Sequence, residues 1–483
     1  MGKVSKGKLL LCVSIFLVSM LCAGLGLLCT EIYAMPLAEP LAATHTWSGS
    51  GTQTDPYLIS NSDQLKELAD LVNSKSTNPT YANKYYKQTA DIDLNGGSLE
   101  PIGDYYNTPF KGNYNGGGYS ISNFDVTTYS STCMGFIGYA SNATIENVSI
   151  ISASISKNKD GSCIGGIVGS AYNSLVLRNC SVVNSDLSSS FVEEQVDNDY
   201  SENGAYAGGE TSAEAYVGGL VGYCYGSIEI EDCSVQSSSI SIIVKSAFEA
   251  LAESTESDYA ESEAEAGAYA YAYTGGFVGW VKSGSSIKIY GSMVGNCEIY
   301  GESYAYAYAE AFPERSYSNA YAYSKTYVGG IIGYAYNGYR TNLVVEIDEC
   351  CVLNCDINGD ADSFAYAYSS TDEGSDVYVG DLVGYVGYDL GYSDVTIQLF
   401  DIMITAGVDG RNDLAGYCER YDNLERVVVD VKDDNIYYTA SDYYYENWAL
   451  VNNKPLLKKF FWIAEFGDEF SYEELEILGY QEI

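Results

Sequence analysis

Between residues 135 and 416 the apolar positions fall into a repeating order. A glycine-flanked hydrophobic box appears as GFIG ending at Gly138, GGIVG at Gly169, GGLVG at Gly222, GGFVG at Gly279, GGIIG at Gly333, GDLVG at Gly384 and DLAG at Gly416. The spacings are 31, 53, 57, 54, 51 and 32 residues. A unit recurring on this scale marks a solenoid or a propeller. Each box leads into a strand-like run and then a second motif, of which five copies align without gaps: NVSIISASI, NCSVVNSDL, DCSVQSSSI, GSMVGNCEI and ECCVLNCDI. The alignment yields one apolar column of Ile150, Val182, Val235, Val294 and Val352, and another of Ile155, Leu187, Ile240, Ile299 and Ile357. Such columns predict a parallel β-helix, in which rungs lie about 4.8 Å apart and every inward position stacks on its equivalent. A propeller blade needs four antiparallel strands per repeat, for which a 31-residue copy is short.

The long repeats exceed the short ones by about 20–26 residues, all inserted between the Ile column and the next box. There the pattern changes to strict Ala/Tyr alternation, as in AYAYAYTGGFVGW over Ala268–Trp280 and SYAYAYAEAF further on. Alternation places Tyr on one strand face and Ala on the other. Each insertion is expected to be a two-strand arm, running outward and back from one corner of the helix. Counting back two residues from the first Gly of each long box finds Tyr216, Tyr273, Tyr327 and Tyr378; further back lie Tyr271, Tyr269 and Tyr323. Arms stacked in register would turn these seven into tyrosine ladders on a broad sheet, with the thin Ala face packing against a second layer.

The flanks read differently. At the start, Lys3, Lys6 and Lys8 precede an uncharged apolar run, Leu9–Leu28. We read residues 1–34 as a signal peptide, with an uncleaved membrane anchor as the alternative, and 35–46 as a linker. Residues 47–130 read as an N-terminal cap. It holds a strand at Tyr57–Ile59, a helix capped by Asn61 or Ser62 and running to about Asn73, and a strand over Tyr85–Leu94. Leu65, Leu68, Ala69 and Val72 share one face of that helix. The repeats occupy 131–435. A C-terminal cap and acidic tail, rich in Trp and Phe, occupy 436–483 and would cover the open edge of the last rung.

Composition narrows the partners. The 65 Asp and Glu against 24 Lys and Arg give a net charge of −41, which repels nucleic acid and anionic lipid. Neither is expected as a partner, the N-terminal anchor aside. No cofactor is expected; calcium at acidic loop tips stays open, with no D-x-D-x-D-G series to localise it. Of the 13 Cys, three lie in the leader and the rest are dispersed without C-x-x-C pairs, so no zinc site is expected. Cys180, Cys233 and Cys350 share one column with Val148 and Ser292. Cys297 and Cys355 share another with Ala153, Ser185 and Ser238. Their companions are small, which favours packed thiols, although rung spacing permits a Cys297–Cys355 bridge.

The GGLVGY-type box followed by a strand and N-C-S-V resembles the GLUG-motif repeats of exported bacterial proteins. WSGSGTQTDPYLISNSDQLKELADLVN, YYKQTADIDL and PFKGNYNGGGYSISNF are similar to the capping region preceding such repeats. The resemblance spans residues 47 to about 462. It implies a right-handed parallel β-helix on a secreted or cell-surface protein, often adhesin-like. Some relatives in that family resemble IgA-specific metallopeptidases, which need H-E-x-x-H. This chain has a single His, His45, so neither that chemistry nor a Ser-His-Asp triad is expected. β-Helices also host polysaccharide lyases and glycosidases, but no carboxylate pair stands beside Arg178, Arg315, Arg340 or Arg411 in sequence. The expectation is therefore a non-catalytic, exported, adhesin-like protein presenting a Tyr-rich β-surface to glycans or proteins. A polysaccharide-acting enzyme and a purely structural stalk are the alternatives.

Overall fold

The computed structural model describes side chains from residue 45 to 383, except 105, 127–130, 202–204, 255–261, 283–285, 313–315, 337–342, 368 and 377–381. Beyond 383 it describes only the backbone of short strands. The predicted leader and most of the linker therefore lie outside the described residues. The chain divides at Thr46, and the β-rich unit begins at Trp47.

Strands stack in parallel into sheets of 14, 13 and 6 strands, here sheets I, II and III. One coil shows the plan. The strand Glu263–Gly275 lies in sheet III, Val278–Lys282 and Ser286–Tyr290 in sheet I, and Met293–Gly295 with Glu298–Phe312 in sheet II. The chain then returns to sheet III at Tyr317–Gly329, where the next coil begins. This is an all-β, solenoid-like architecture, as the columns predict. Val182 pairs with Ile150 and Val235, and Val235 with Val294, which pairs with Val352. The second column is likewise in register from Ile155 to Ile357. Both columns are buried.

The corners explain the N-C-S-V motif residue by residue. Asn147, Asn179, Asp232 and Glu349 all adopt positive φ, from 48° to 56°, at one corner of successive coils. Asn tolerates this left-handed turn better than most residues. Its amide also stacks: Asn179 Nδ2 donates to Asn147 Oδ1 at 2.8 Å, and Asn147 Nδ2 to Asn115 Oδ1 at 3.2 Å. The next residue points inward, which is why it is small: Val148, Cys180, Cys233, Ser292 and Cys350 are all buried. The nine cysteines among the described residues are buried free thiols.

The box glycines answer to close approach rather than to unusual dihedrals. A Cβ on Gly219 would lie 2.1 Å from the Gly276 carbonyl oxygen of the next coil and 2.8 Å from the Val235 methyl across the core. No side chain fits there.

The helix is Ser62–Asn73. The Asn61 side chain accepts from the Gln64 amide at 3.0 Å, and Leu65, Leu68, Ala69 and Val72 are buried. The predicted strand Tyr85–Leu94 is instead two, Tyr85–Gln88 and Ile92–Leu99, placed in different sheets by a turn at residues 89–91. In the C-terminal region Trp448–Val451, Lys454–Leu457 and Gln481–Glu482 form a small antiparallel sheet. The side chains of that predicted cap lie outside the described residues.

Candidate functional site

The arms differ from simple two-strand hairpins. The outgoing strands Asp186–Ser201, Ser239–Ser254, Glu298–Phe312 and Asp356–Tyr366 extend sheet II. The returning strands Tyr206–Gly218, Glu263–Gly275, Tyr317–Gly329 and Ser370–Gly380 extend sheet III. Each strand hydrogen-bonds to its equivalents in neighbouring coils, and the two extensions pack face to face. Between them lies a layer made almost wholly of Ala: Ala264, Ala266, Ala268, Ala270, Ala320 and Ala322 from one sheet meet Ala250, Ala252, Ala305, Ala307 and Ala309 from the other. Methyl side chains let the sheets approach closely. Toward the root, hydroxyls replace methyls and satisfy one another, with Ser303 Oγ 2.7 Å from Ser324 Oγ and 2.8 Å from Thr326 Oγ1. Thr211 and Ser246 pair likewise at 2.7 Å.

The outer part of the first returning strand, before its pairing with Ser162–Gly165 begins at Ala215, is an edge, and acidic side chains occupy part of it. Asp199 and Asp197 accept from the amides of Tyr206 and Gly208, and Asp160 accepts from that of Glu214, at 2.8–2.9 Å. The amide of Tyr206, with the Ser201 hydroxyl, holds the Asp199 carboxyl below the usual carboxylate range.

With Ala inside, Tyr is outside, on two opposite faces. On sheet III the rings of Tyr269 and Tyr323 stack at 5.8 Å and 13°, both partly exposed. The Tyr323 hydroxyl donates to Asp372, and that bond pushes its pKa up to about 12. Tyr271 is half-buried, paired in register with Glu214 and Lys325. On sheet II, Tyr306 stacks on Phe364 at 5.6 Å and Tyr308 on Tyr366 at 5.1 Å, both within 9° of parallel. Tyr300 and Tyr304 lie on the same face. None of these sheet II rings is among the seven candidates, although the same alternation marks them.

Three of the seven candidates are not surface groups. Tyr216, Tyr273 and Tyr327 are 5%, 8% and 6% exposed. They lie just before the Gly turn, and outward residues just after it converge on them: Tyr223, Trp280 and Tyr334. Tyr273 stacks on Tyr216, Tyr327 and Trp280 at 5.0–5.1 Å and meets Tyr334 edge-on at 5.3 Å. The expectation that these three display their rings to a ligand is corrected: they zip sheet III to sheet I. Burial pushes the Tyr216 and Tyr273 phenols well above their ordinary value, and Glu214 beside them is raised chiefly by its own burial. The Lys282 ammonium lies 5.3 Å over the Trp280 ring. Tyr378 pairs with Tyr327 along the backbone, but its side chain lies outside the described residues.

A further row of rings stands on the solenoid body. Tyr139, Tyr172 and Tyr225 occupy three successive strands of sheet I, with centroids 5.6 and 5.7 Å apart. They follow the box rather than precede it, outside the alternating run. Among the described residues no group of three or more His, Cys, Asp or Glu is arranged to hold a metal ion. Residues 202–204 and 255–261, part of the acidic tips where calcium was considered, lie outside them. No described helix is long and apolar enough to cross a membrane.

No family model matches the chain. Halomucin from Haloquadratum walsbyi is 33% identical over 141 residues, which cover 27% of this chain and 2% of that protein. A protein from Evansella cellulosilytica, provisionally named a Gly-rich membrane protein, is 28% identical over 141 residues, 28% of this chain and 15% of its own length. The chain thus matches only a small part of either relative. A solved structure from Bacteroides ovatus, provisionally named an immunoglobulin A1 protease, aligns over 85% of this chain and 94% of its own, at 15% identity and a TM-score of 0.41.

Proposed function

We propose that this is a non-catalytic, adhesin-like protein of the cell surface or exterior, a right-handed β-helix of the GLUG-repeat kind, whose arms bind another protein. One observation carries the reading: the arms expose in-register Tyr on both outer faces while burying mostly Ala between them. Tyr supplies rigid contact area and a hydroxyl with only two rotatable side-chain bonds. Both faces are flat sheets interspersed with Glu, Ser and Lys, and such breadth suits a protein partner better than a small ligand. The membrane protein named among the relatives supports a surface location. The test is a host- and bacterial-protein array probed with the chain, then with Tyr304, Tyr306, Tyr269 and Tyr323 changed to Ser. Binding should be lost while circular dichroism is unchanged. Undiminished binding by the folded variant overturns the proposal.

A further inference from the structure

A second site stands on the solenoid body, apart from the arms. Residues 101–111 cross the edge of the strand Ile137–Glu146 and pair with it only at their ends. Tyr139 N donates to Gly103 O at 2.5 Å, Phe110 N to Tyr139 O at 2.8 Å and Ser141 N to Phe110 O at 2.9 Å. Beside these anchors lies a cleft of about 360 Å³, lined by Tyr106, Pro109, Lys111, Tyr139, Ser141 and Tyr172. That volume is within the range of small-molecule sites, roughly 300–1,000 Å³.

The near end of this segment, residues 101–104, is held in place before any ligand arrives. The Asn73 side chain, at the end of the helix, donates to Pro101 O at 2.9 Å and accepts from the amides of Gly103 and Asp104 at 2.7 and 3.1 Å. Gly103 has φ +72°, and a Cβ there would meet Phe110 N at 2.6 Å. Such pre-organisation lowers the ordering cost of binding.

The floor defines what fits. Tyr139 and Tyr172 stack at 5.6 Å and 14°, and Tyr172 leans on Tyr225. Tyr139 begins this row, with Tyr172 stacked on one face of its ring. Tyr106 and Pro109 line the same cleft as these two rings. Its rim is polar. Ser141 Oγ accepts from Asn173 Nδ2 at 3.0 Å. Lys111 is exposed and joins none of the ion pairs among the described residues, in a chain of net charge −41.

We propose that this cleft is a carbohydrate subsite that takes one pyranose ring of a carboxylate-bearing sugar. A pyranose has an apolar C–H face to lie against the aromatic lining, Tyr106 and Tyr139, and a hydroxyl edge to reach Ser141. Its carboxylate gives Lys111 an ionic partner. Tyr225, beyond Tyr172, continues the row outside the cleft and offers a contact to the next unit of a glycan.

The experiment is saturation-transfer NMR on the whole chain with methyl β-D-glucuronide, methyl β-D-glucoside and an oligoproline peptide as probes. Transfer is expected to the ring C–H protons of the glucuronide and, more weakly, of the glucoside. Tyr106→Ser, at a side chain 61% exposed, should remove both signals while leaving the circular dichroism unchanged. Lys111→Gln should weaken the glucuronide about tenfold and leave the glucoside unchanged, the loss of one charge-assisted contact. Silence from both glycosides, binding of the oligoproline instead, or equal affinity of the two glycosides before and after Lys111→Gln would each overturn the assignment. Arm variants should leave these signals unchanged, so this site and the arm surface stand or fall separately.

Discussion

Tyr273→Ala should be among the most damaging single substitutions in the chain, and for structural rather than binding reasons. The ring is 8% exposed and touches four others: Tyr216, Trp280 and Tyr327 by stacking, Tyr334 edge-on. Truncating a buried aromatic costs about 3–5 kcal/mol through lost transfer energy and the cavity left behind. Ring pairs add about 0.5–1.5 kcal/mol each beyond area burial. Four partners place the expected loss at the top of the first range, about 4–5 kcal/mol. Native-state hydrogen exchange reads it locally, as lost protection of amides in Glu263–Gly275 and Val278–Lys282, the two strands that the zipper joins. The control is Tyr317→Ala, at a ring 62% exposed, which should cost within about 0.5 kcal/mol. A loss for Tyr273→Ala no larger than the control's would refute the zipper as a stabilising element.

Three other features give measurable outcomes. Ala307→Leu forces a large side chain into the Ala layer between the arm sheets and should cost about 1–3 kcal/mol, read as a lower Tm. Glu349→Asn should stabilise by up to about 1 kcal/mol in urea unfolding, because Glu349 holds φ 48° at a corner where its equivalents are Asn147, Asn179, Asp232 and Gly291. Stability should fall in alkali. Burial, with help from Glu229 and Glu302 respectively, pushes the Tyr290 and Tyr300 phenols up to about 12 from 10. A group raised on folding contributes fully below its unfolded pKa, so this stability is complete below pH 10 and lost as pH rises from 10 to about 12. Phenolate absorbance and circular dichroism followed together would show it; one titration centred on about pH 10, the ordinary phenol value, with no unfolding would count against it.

The solenoid was legible because its geometry repeats. A residue whose neighbours above and below are its own equivalents leaves a column in the alignment, as Val182 and Leu187 do. The period of two in AYAYAY was as plain, and it placed Ala inside and Tyr outside without any knowledge of the partner sheet. The aromatic zipper was not legible. Tyr273 continues the same alternation as Tyr269, and only the turn at Gly275 and Gly276 brings Trp280 back against it. Identical local patterns therefore hide opposite burial. The cleft was less legible still. Residues 101–111 belong to no repeat, and Tyr139, Lys111 and Asn73 come together only through the crossing of that segment over the strand edge.

The Ala layer has a consequence for how such a protein grows. Its inside–outside code has a period of two residues and depends on nothing else along the arm. Adding one Ala-Tyr dipeptide to an outgoing strand and one to its return lengthens the arm by about 7 Å. Every existing pair stays in place and the glycine turns are undisturbed. A slip of a single residue would drive a column of Tyr into a layer packed mainly from Ala methyl groups. Duplication of dipeptides is thus a nearly neutral route to longer arms, whereas odd insertions are excluded. Reach can vary from coil to coil in such chains while the solenoid beneath keeps one fixed design.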